Sequence, residues 1–195
     1  MTAFSGWQPE EELAAFVRAL GALKRGVAAI DGMCASGKTT LAARLGEELG
    51  VTVLHMDDFF LQPLQRTPER LAQPGGNVDR ERFRGEVLAP LLAGAQEIAY
   101  RRFDCGTQTL LAPRMIRPAP VVLVEGAYSM HPQLRDAYAL SAFVGVSPQL
   151  QRARILARNG EKGLRCFEER WIPLENAYIA ACGVEKACRF RLSAE

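Results

Sequence analysis

Hydrophobic positions along the chain follow two rhythms. Leu13, Phe16, Val17 and Leu20 recur at helical spacing and predict an amphipathic helix over 9–20. Pro9 suits its first turn, and Glu10, Glu11 and Glu12 sit at the positive end of its dipole. Short unbroken apolar runs predict buried strands at 26–31, 51–56, 121–124, 141–146 and 187–192. Helices fall between them. One spans 38–48 and is closed by Gly50; another spans 79–92 with Phe83, Val87, Leu88 and Leu91 on its apolar side. A short helix is expected near 133–138, and a longer one from the Ser147-Pro148 start to about 158, before Asn159-Gly160. A further helix is expected over 167–181. Residues 98–103 and 109–112 could pair as a hairpin across 105–108. The loop carrying Pro63, Pro68, Pro74, Gly75 and Gly76 is long and irregular enough to serve as a lid or binding loop. Strands alternating with helices imply a doubly wound α/β fold, a parallel sheet covered on both faces.

Composition narrows the class. A length of 195 residues favours a single domain over 1–195, with 1–22 as an N-terminal helix whose default role is packing. Dimerisation or a partner for that helix stays open, and with it a homo-oligomer. A 48% hydrophobic and 24% charged chain is globular, and a net charge of +2 gives no reason to expect a nucleic-acid or membrane partner. No apolar run is long enough for a membrane helix, and no secretory leader is evident. Five cysteines without a CxxC pair argue against a disulfide scaffold or zinc site and for the cytoplasm. Two histidines leave little room for His-based metal or triad chemistry.

One motif carries chemistry directly. Gly32-Met33-Cys34-Ala35-Ser36-Gly37-Lys38-Thr39 matches G-x-x-x-x-G-K-[ST], between a predicted strand and a predicted helix, with Thr40 following. Glycines allow the backbone N–H groups to converge on phosphate oxygens, and the helix that starts here points its positive end at the anion. Lys38 would reach the β and γ phosphates, and the Thr39 hydroxyl is placed for Mg²⁺. The bland alternative is an ordinary Gly-rich turn.

Ligands of open α/β sheets sit at the carboxyl ends of strands, and two further strand ends carry acids. Glu125 closes the Val121–Val124 run and is read as a metal ligand, direct or through water; a solvated strand-end Glu is its alternative. Asp57 is the candidate base for an acceptor hydroxyl, against a simple loop cap by Asp57 or Asp58. His55 reads more readily as a satisfied strand histidine than as a catalyst. Arg152, Arg154, Arg158, Arg165 and Arg170, with Lys162, crowd 151–170 and suggest a phosphate-closing lid, although a solvated helix face would show the same pattern. Arg80, Arg82 and Arg84 lack interleaved aromatics, so a nucleic-acid site has little support.

"IDGMCASGKTT", "HMDDFF", "GGNVDRERF", "YRRFD", "VVLVEGAYS" and "FEERWIP" occur in an order that resembles the uridine kinase/phosphoribulokinase-like P-loop kinases, over about 27–191. The resemblance implies a P-loop NTPase fold with a helical lid. It also implies transfer of the γ-phosphate of ATP (or another NTP), with Mg²⁺, to a hydroxyl of a nucleoside-like small molecule. By the same resemblance Asp57 is the catalytic, Mg²⁺-associated acid and Glu125 a second metal residue. Asp79 would bind sugar hydroxyls, Phe103 would contact the substrate with Asp104 beside it, and Arg154, Arg158 and Arg165 would be lid arginines. Uridine kinases carry a His after the Phe-Asp pair; this chain has Cys105-Gly106-Thr107-Gln108. The acceptor therefore stays open among a nucleoside, pantothenate, a sugar phosphate and nicotinamide riboside. A nucleotide-binding regulatory module without transfer is the alternative of another class.

Overall fold

The computed structural model describes residues 7–194. Its main sheet contains six strands: β1 (Trp7–Gln8), β2 (Gly26–Gly32), β3 (Thr52–His55), β8 (Val121–Glu125), β9 (Leu140–Val146) and β10 (Phe190–Ala194). They lie in the order β1-β10-β9-β2-β8-β3, and all neighbours are parallel except β1, which pairs antiparallel with β10. The first parallel strand, β2, is flanked by β8 and β9, so the direction of winding reverses beside it. That reversal opens a crevice at the strand's carboxyl end, where Gly32 stands.

The sheet is buried on both faces because its side chains alternate between two cores. Val27, Ala29, Val122 and Val124 join Met56, Phe83, Val87 and Tyr178 on one face. Ala28, Ile30, Leu123 and Val144 join Leu13, Phe16, Leu41 and Leu45 on the other. The helix α1 (Glu10–Ala22) thus packs, with Phe16 fully buried and its ring 5.5 Å from that of Phe190. Pro9 caps this helix with extended backbone instead of entering its first turn. The helix α2 (Lys38–Leu49) starts in the phosphate loop and ends at the left-handed Gly50, as its sequence predicts.

The helix α3 over 80–92 begins one residue later than expected, because the Asp79 carboxylate accepts from the Arg82 N–H and acts as the cap. It widens into a π turn over Arg84–Leu88, and the Ala89 N–H reaches back to the Arg84 carbonyl. Pro90 follows at once. A proline ring collides with the carbonyl four residues earlier, and the wider turn relieves that collision. The same arrangement recurs at Phe167–Trp171, immediately before Pro173. There the π turn joins α4 (Pro148–Cys166) to α5 (Ile172–Ala181). Helix α4 starts with the Ser147 hydroxyl accepting from the Leu150 N–H and is broken where expected, at Gly160 (φ 67°, ψ −178°). The chain resumes helix directly afterwards, so the second helix starts well before 167. A short α6 (Val184–Ala187) precedes β10, which begins at Phe190, three residues later than expected.

The expected hairpin is corrected. β5 (Phe103–Asp104) and β6 (Thr109–Leu110) pair across 105–108, but β4 (Ile98–Tyr100) pairs with β7 (Arg114–Ile116), a strand the apolar pattern did not reveal. Arg101 separates the two ladders by donating its guanidinium to the carbonyls of Leu110 and Leu111. No described helix is long and apolar enough to cross a membrane.

Since Phe16 ties α1 to the sheet, Phe16→Ala should lower the unfolding free energy by about 3–5 kcal/mol in urea titration. A loss well below 1 kcal/mol would mean that α1 is not part of the core.

Candidate active site

The phosphate loop takes its shape from close backbone approach. A Cβ on Gly32 (φ +150°) would lie 2.1 Å from the Val144 carbonyl oxygen, so glycine alone fits between β2 and β9. Lys38, the first residue of α2, is 9% exposed and donates from Nζ to the Met33 carbonyl at 3.1 Å. The Ser36 hydroxyl is buried without a partner. The two strands beside β8, β2 and β3, are registered so that Glu125 lies opposite both Ile30 and His55. This register brings the three strand ends together. Glu125 Oε2 accepts from the Thr39 hydroxyl at 3.1 Å, and Oε1 meets His55 Nδ1 at 2.5 Å, a pairing that raises the His55 pKa.

Asp57 follows β3 and lines a cleft of about 700 Å³ together with Cys34, Ala35, Gly37, Lys38, Thr39 and Thr40. Its carboxylate opens into that cleft but is crowded by protein. Desolvation and the Glu125 charge push its pKa up, against the opposing pull of Lys38. Among the described residues no three metal-ligating side chains form a ready-made cage. The oxygens of Thr39, Asp57 and Glu125 around one loop instead fit Mg²⁺ arriving with a polyphosphate, since Mg²⁺ uses one or two carboxylates and keeps phosphate and water ligands.

The lid arginines separate. Arg154 donates to the carbonyls of Ala35 and Ser36, at 3.2 and 3.4 Å, so it lies on the phosphate loop instead of on an acceptor. Arg158, one turn further along α4, also lines the cleft, with its guanidinium over the Phe167 ring. Arg165 is exposed and outside the cleft lining.

Asp79, Phe103 and Asp104 also fall outside the cleft lining. Asp79 is 3% exposed, and both its oxygens are engaged by Gln65 and Arg82. Arg66 covers the Phe103 ring. Asp104 accepts from the Gly106 N–H and Thr107 hydroxyl, and so closes its own turn.

Several lining residues have no role assigned from the sequence, and two of them, Trp7 and Glu175, lie outside every motif. Trp7 packs against Gly37, and Phe60, Asn77, Tyr128, Trp171 and Glu175 line the same cleft as Asp57. Tyr128 is held at φ 74°, which is costly for a bulky side chain, and its hydroxyl lies beside the Asn77 side chain. Gly76 permits the turn before Asn77, because a Cβ there would lie 1.9 Å from the Arg70 carbonyl oxygen. Glu175 Oε2 accepts from the Cys34 N–H at 2.7 Å, and burial raises its pKa. Beneath the loop, Asp31 is fully buried and accepts from the N–H groups of Gly32 and Met130 and from the Tyr178 hydroxyl. Burial nevertheless pushes it up to about 6.

No family model matches the sequence. Solved structures do match the fold. A possible uridine kinase from Bacillus stearothermophilus superposes with a TM-score of 0.69 at 20% identity, over 93% of this chain and 97% of that one. YFH7 from Saccharomyces cerevisiae, proposed to be a P-loop-containing kinase with a circular permutation, gives 0.59 at 13% identity, over 89% and 94%. The fold is that of the P-loop kinases.

His131 stacks parallel to Tyr178, and burial together with Arg80 and Arg70 pushes its pKa down from 6.5 to about 4. The folded state therefore favours neutral His131. Its contribution to stability is complete above pH 6.5 and is lost as pH falls from there through about 4. Asp31, with its raised pKa, acts with the opposite sign, so a variant comparison is needed to isolate the histidine. Denaturation midpoints followed from pH 7.5 to 4 should fall less steeply in His131→Asn than in the parent; parallel curves would refute the assignment.

Proposed function

We propose that this protein is a small-molecule kinase that transfers the γ-phosphate of ATP, or another nucleoside triphosphate, to a hydroxyl group. The observation that carries the reading is the placement of Asp57 in one cleft with Lys38 and Thr39, whose hydroxyl is held by Glu125, at the end of a phosphate-binding loop. The loop's N–H groups and the start of α2 would bind the β and γ phosphates. Lys38, a compact ammonium, would sit against the transferring group, a position that the wider arginine fork fills poorly. Arg158 would balance charge from the lid side. Thr39 and Asp57, with Glu125 holding the Thr39 hydroxyl, would hold Mg²⁺. When bound, Mg²⁺ supplies neutralisation of phosphate charge.

Asp57 would orient the acceptor hydroxyl and receive its proton at a carboxylate oxygen. Its raised pKa makes it a better proton acceptor than an ordinary surface aspartate. Phosphoryl transfer asks little covalent chemistry of the protein, so placement and charge carry most of the catalysis.

ADP release from Mg-ATP, screened against nucleosides and other small alcohols, should depend on an acceptor. Asp57→Asn should lower kcat by roughly 10²–10⁴-fold while ATP binding survives. ATP binding with no acceptor-dependent turnover, or full activity in Asp57→Asn, would overturn the kinase reading.

A further inference from the structure

The cleft wall beyond the expected γ-phosphate position restricts what the acceptor can be. Glu175 lies one turn after Trp171 on the lid side and reaches back to the phosphate loop. It is 8% exposed and lines the same cleft as Asp57 and Lys38. The neighbouring walls are aromatic: Phe60, with its ring 6.4 Å from that of Trp171, and Tyr128. The arginines lie elsewhere. All three line the cleft from other elements: Arg154 is on the loop carbonyls, Arg158 is one turn further along the same helix over Phe167, and Arg44 is on α2. Two carboxylates and three rings therefore bound the acceptor space, and Lys38 faces the phosphate.

An acceptor bearing a phosphate or carboxylate would bring a further negative charge beside Asp57 and Glu175, where Phe60, Tyr128 and Trp171 offer it no cation. An uncharged alcohol carries no such penalty. A cationic one gains from Glu175 and from the ring faces. Rejection of a competitor through unpaired charge is a common source of specificity.

We propose that Glu175 is a specificity-determining carboxylate that restricts the acceptor to uncharged or cationic alcohols and excludes those bearing phosphate or carboxylate groups. The proposal rests on the kinase reading and concerns the substrate class of that site. It separates the candidates the sequence leaves open: a nucleoside or a cationic riboside fits, whereas pantothenate or a sugar phosphate does not.

Matched pairs test it on the full chain with Mg-ATP: pantothenol against pantothenate, nicotinamide riboside against nicotinic acid riboside, and uridine against uridine 3′-phosphate. The less negative member of any pair that turns over should be favoured in kcat/KM by about tenfold or more. Glu175→Gln keeps an oxygen for the Cys34 N–H, so a purely structural role would leave the ratio alone. The proposal expects the ratio to shrink by roughly five- to tenfold, with KM for ATP little changed. Equal or better use of the anionic members by the parent, or an unchanged ratio in Glu175→Gln, overturns it.

If no pair turns over, the kinase reading fails separately. The same pairs are then titrated against the melting temperature with a non-hydrolysable ATP analogue and Mg²⁺ present. Stabilisation by the less negative members alone, lost as a preference in Glu175→Gln, sustains the charge filter, and any other pattern removes it.

Discussion

The Lys38 ammonium lies nine-tenths buried under its own loop, and three carboxylates feel it: Asp31 below, Asp57 across the cleft and Glu175 from the lid side. Each is pushed toward its neutral form by desolvation; Lys38 pulls Asp57 and Glu175 back, whereas Asp31 is held mainly by its hydrogen bonds from Met130, Tyr178 and Gly32. A buried carboxylate without a partner is costly, and so is a buried ammonium. The loop, the β3 end and helix α5 thus bring one ammonium and three carboxylates together. A polyphosphate entering the loop competes for the same ammonium, so nucleotide binding and the state of these carboxylates are physically linked.

Helices α4 and α5 hold the loop from outside. Gln151 donates to the Cys34 carbonyl, Arg154 to those of Ala35 and Ser36, Glu175 accepts from the Cys34 N–H, and Tyr178 donates to Asp31. Four side chains from α4 and α5 thus satisfy polar groups along 31–36 that the sheet leaves unused. Gly160 and the π turn before Pro173 set how these helices cross the cleft mouth. The arginines that looked alike in sequence take different positions for this reason: Arg154 and Arg158 share one face of α4, and Arg165 lies past the break.

Much of the fold was readable because strand and helix periodicities are local. Runs such as Val121–Val124 are too short and too apolar to be anything but buried strands, and the Ser147-Pro148 start and Gly50 stop have direct backbone reasons. The β4–β7 pairing escaped because Arg114–Ile116 has no apolar run and gains its partner only through the turn at 105–108. The acids behaved differently again. Asp57 and Glu125 stand at strand ends, where the sheet itself places them. Asp79, Phe103 and Asp104 had the right types and order, but local partners already occupy them. Sequence spacing does not register such competition.

What the sequence determined alone was the phosphate loop, the strand-end acids and the alternation that makes a doubly wound sheet. All of these are short-range consequences of residue type on backbone geometry. Which wall faces Asp57 was decided by tertiary structure. Glu175 lies 141 positions from Cys34, and its role arises only when α5 packs back over β2. Tyr128 and Asn77 likewise both reach the cleft, through a strained backbone and a glycine turn, from segments whose order in the sequence does not say that they meet. Chemistry that depends on one loop is written locally. Selectivity depends on surfaces assembled from distant segments, so it appears only in the folded chain.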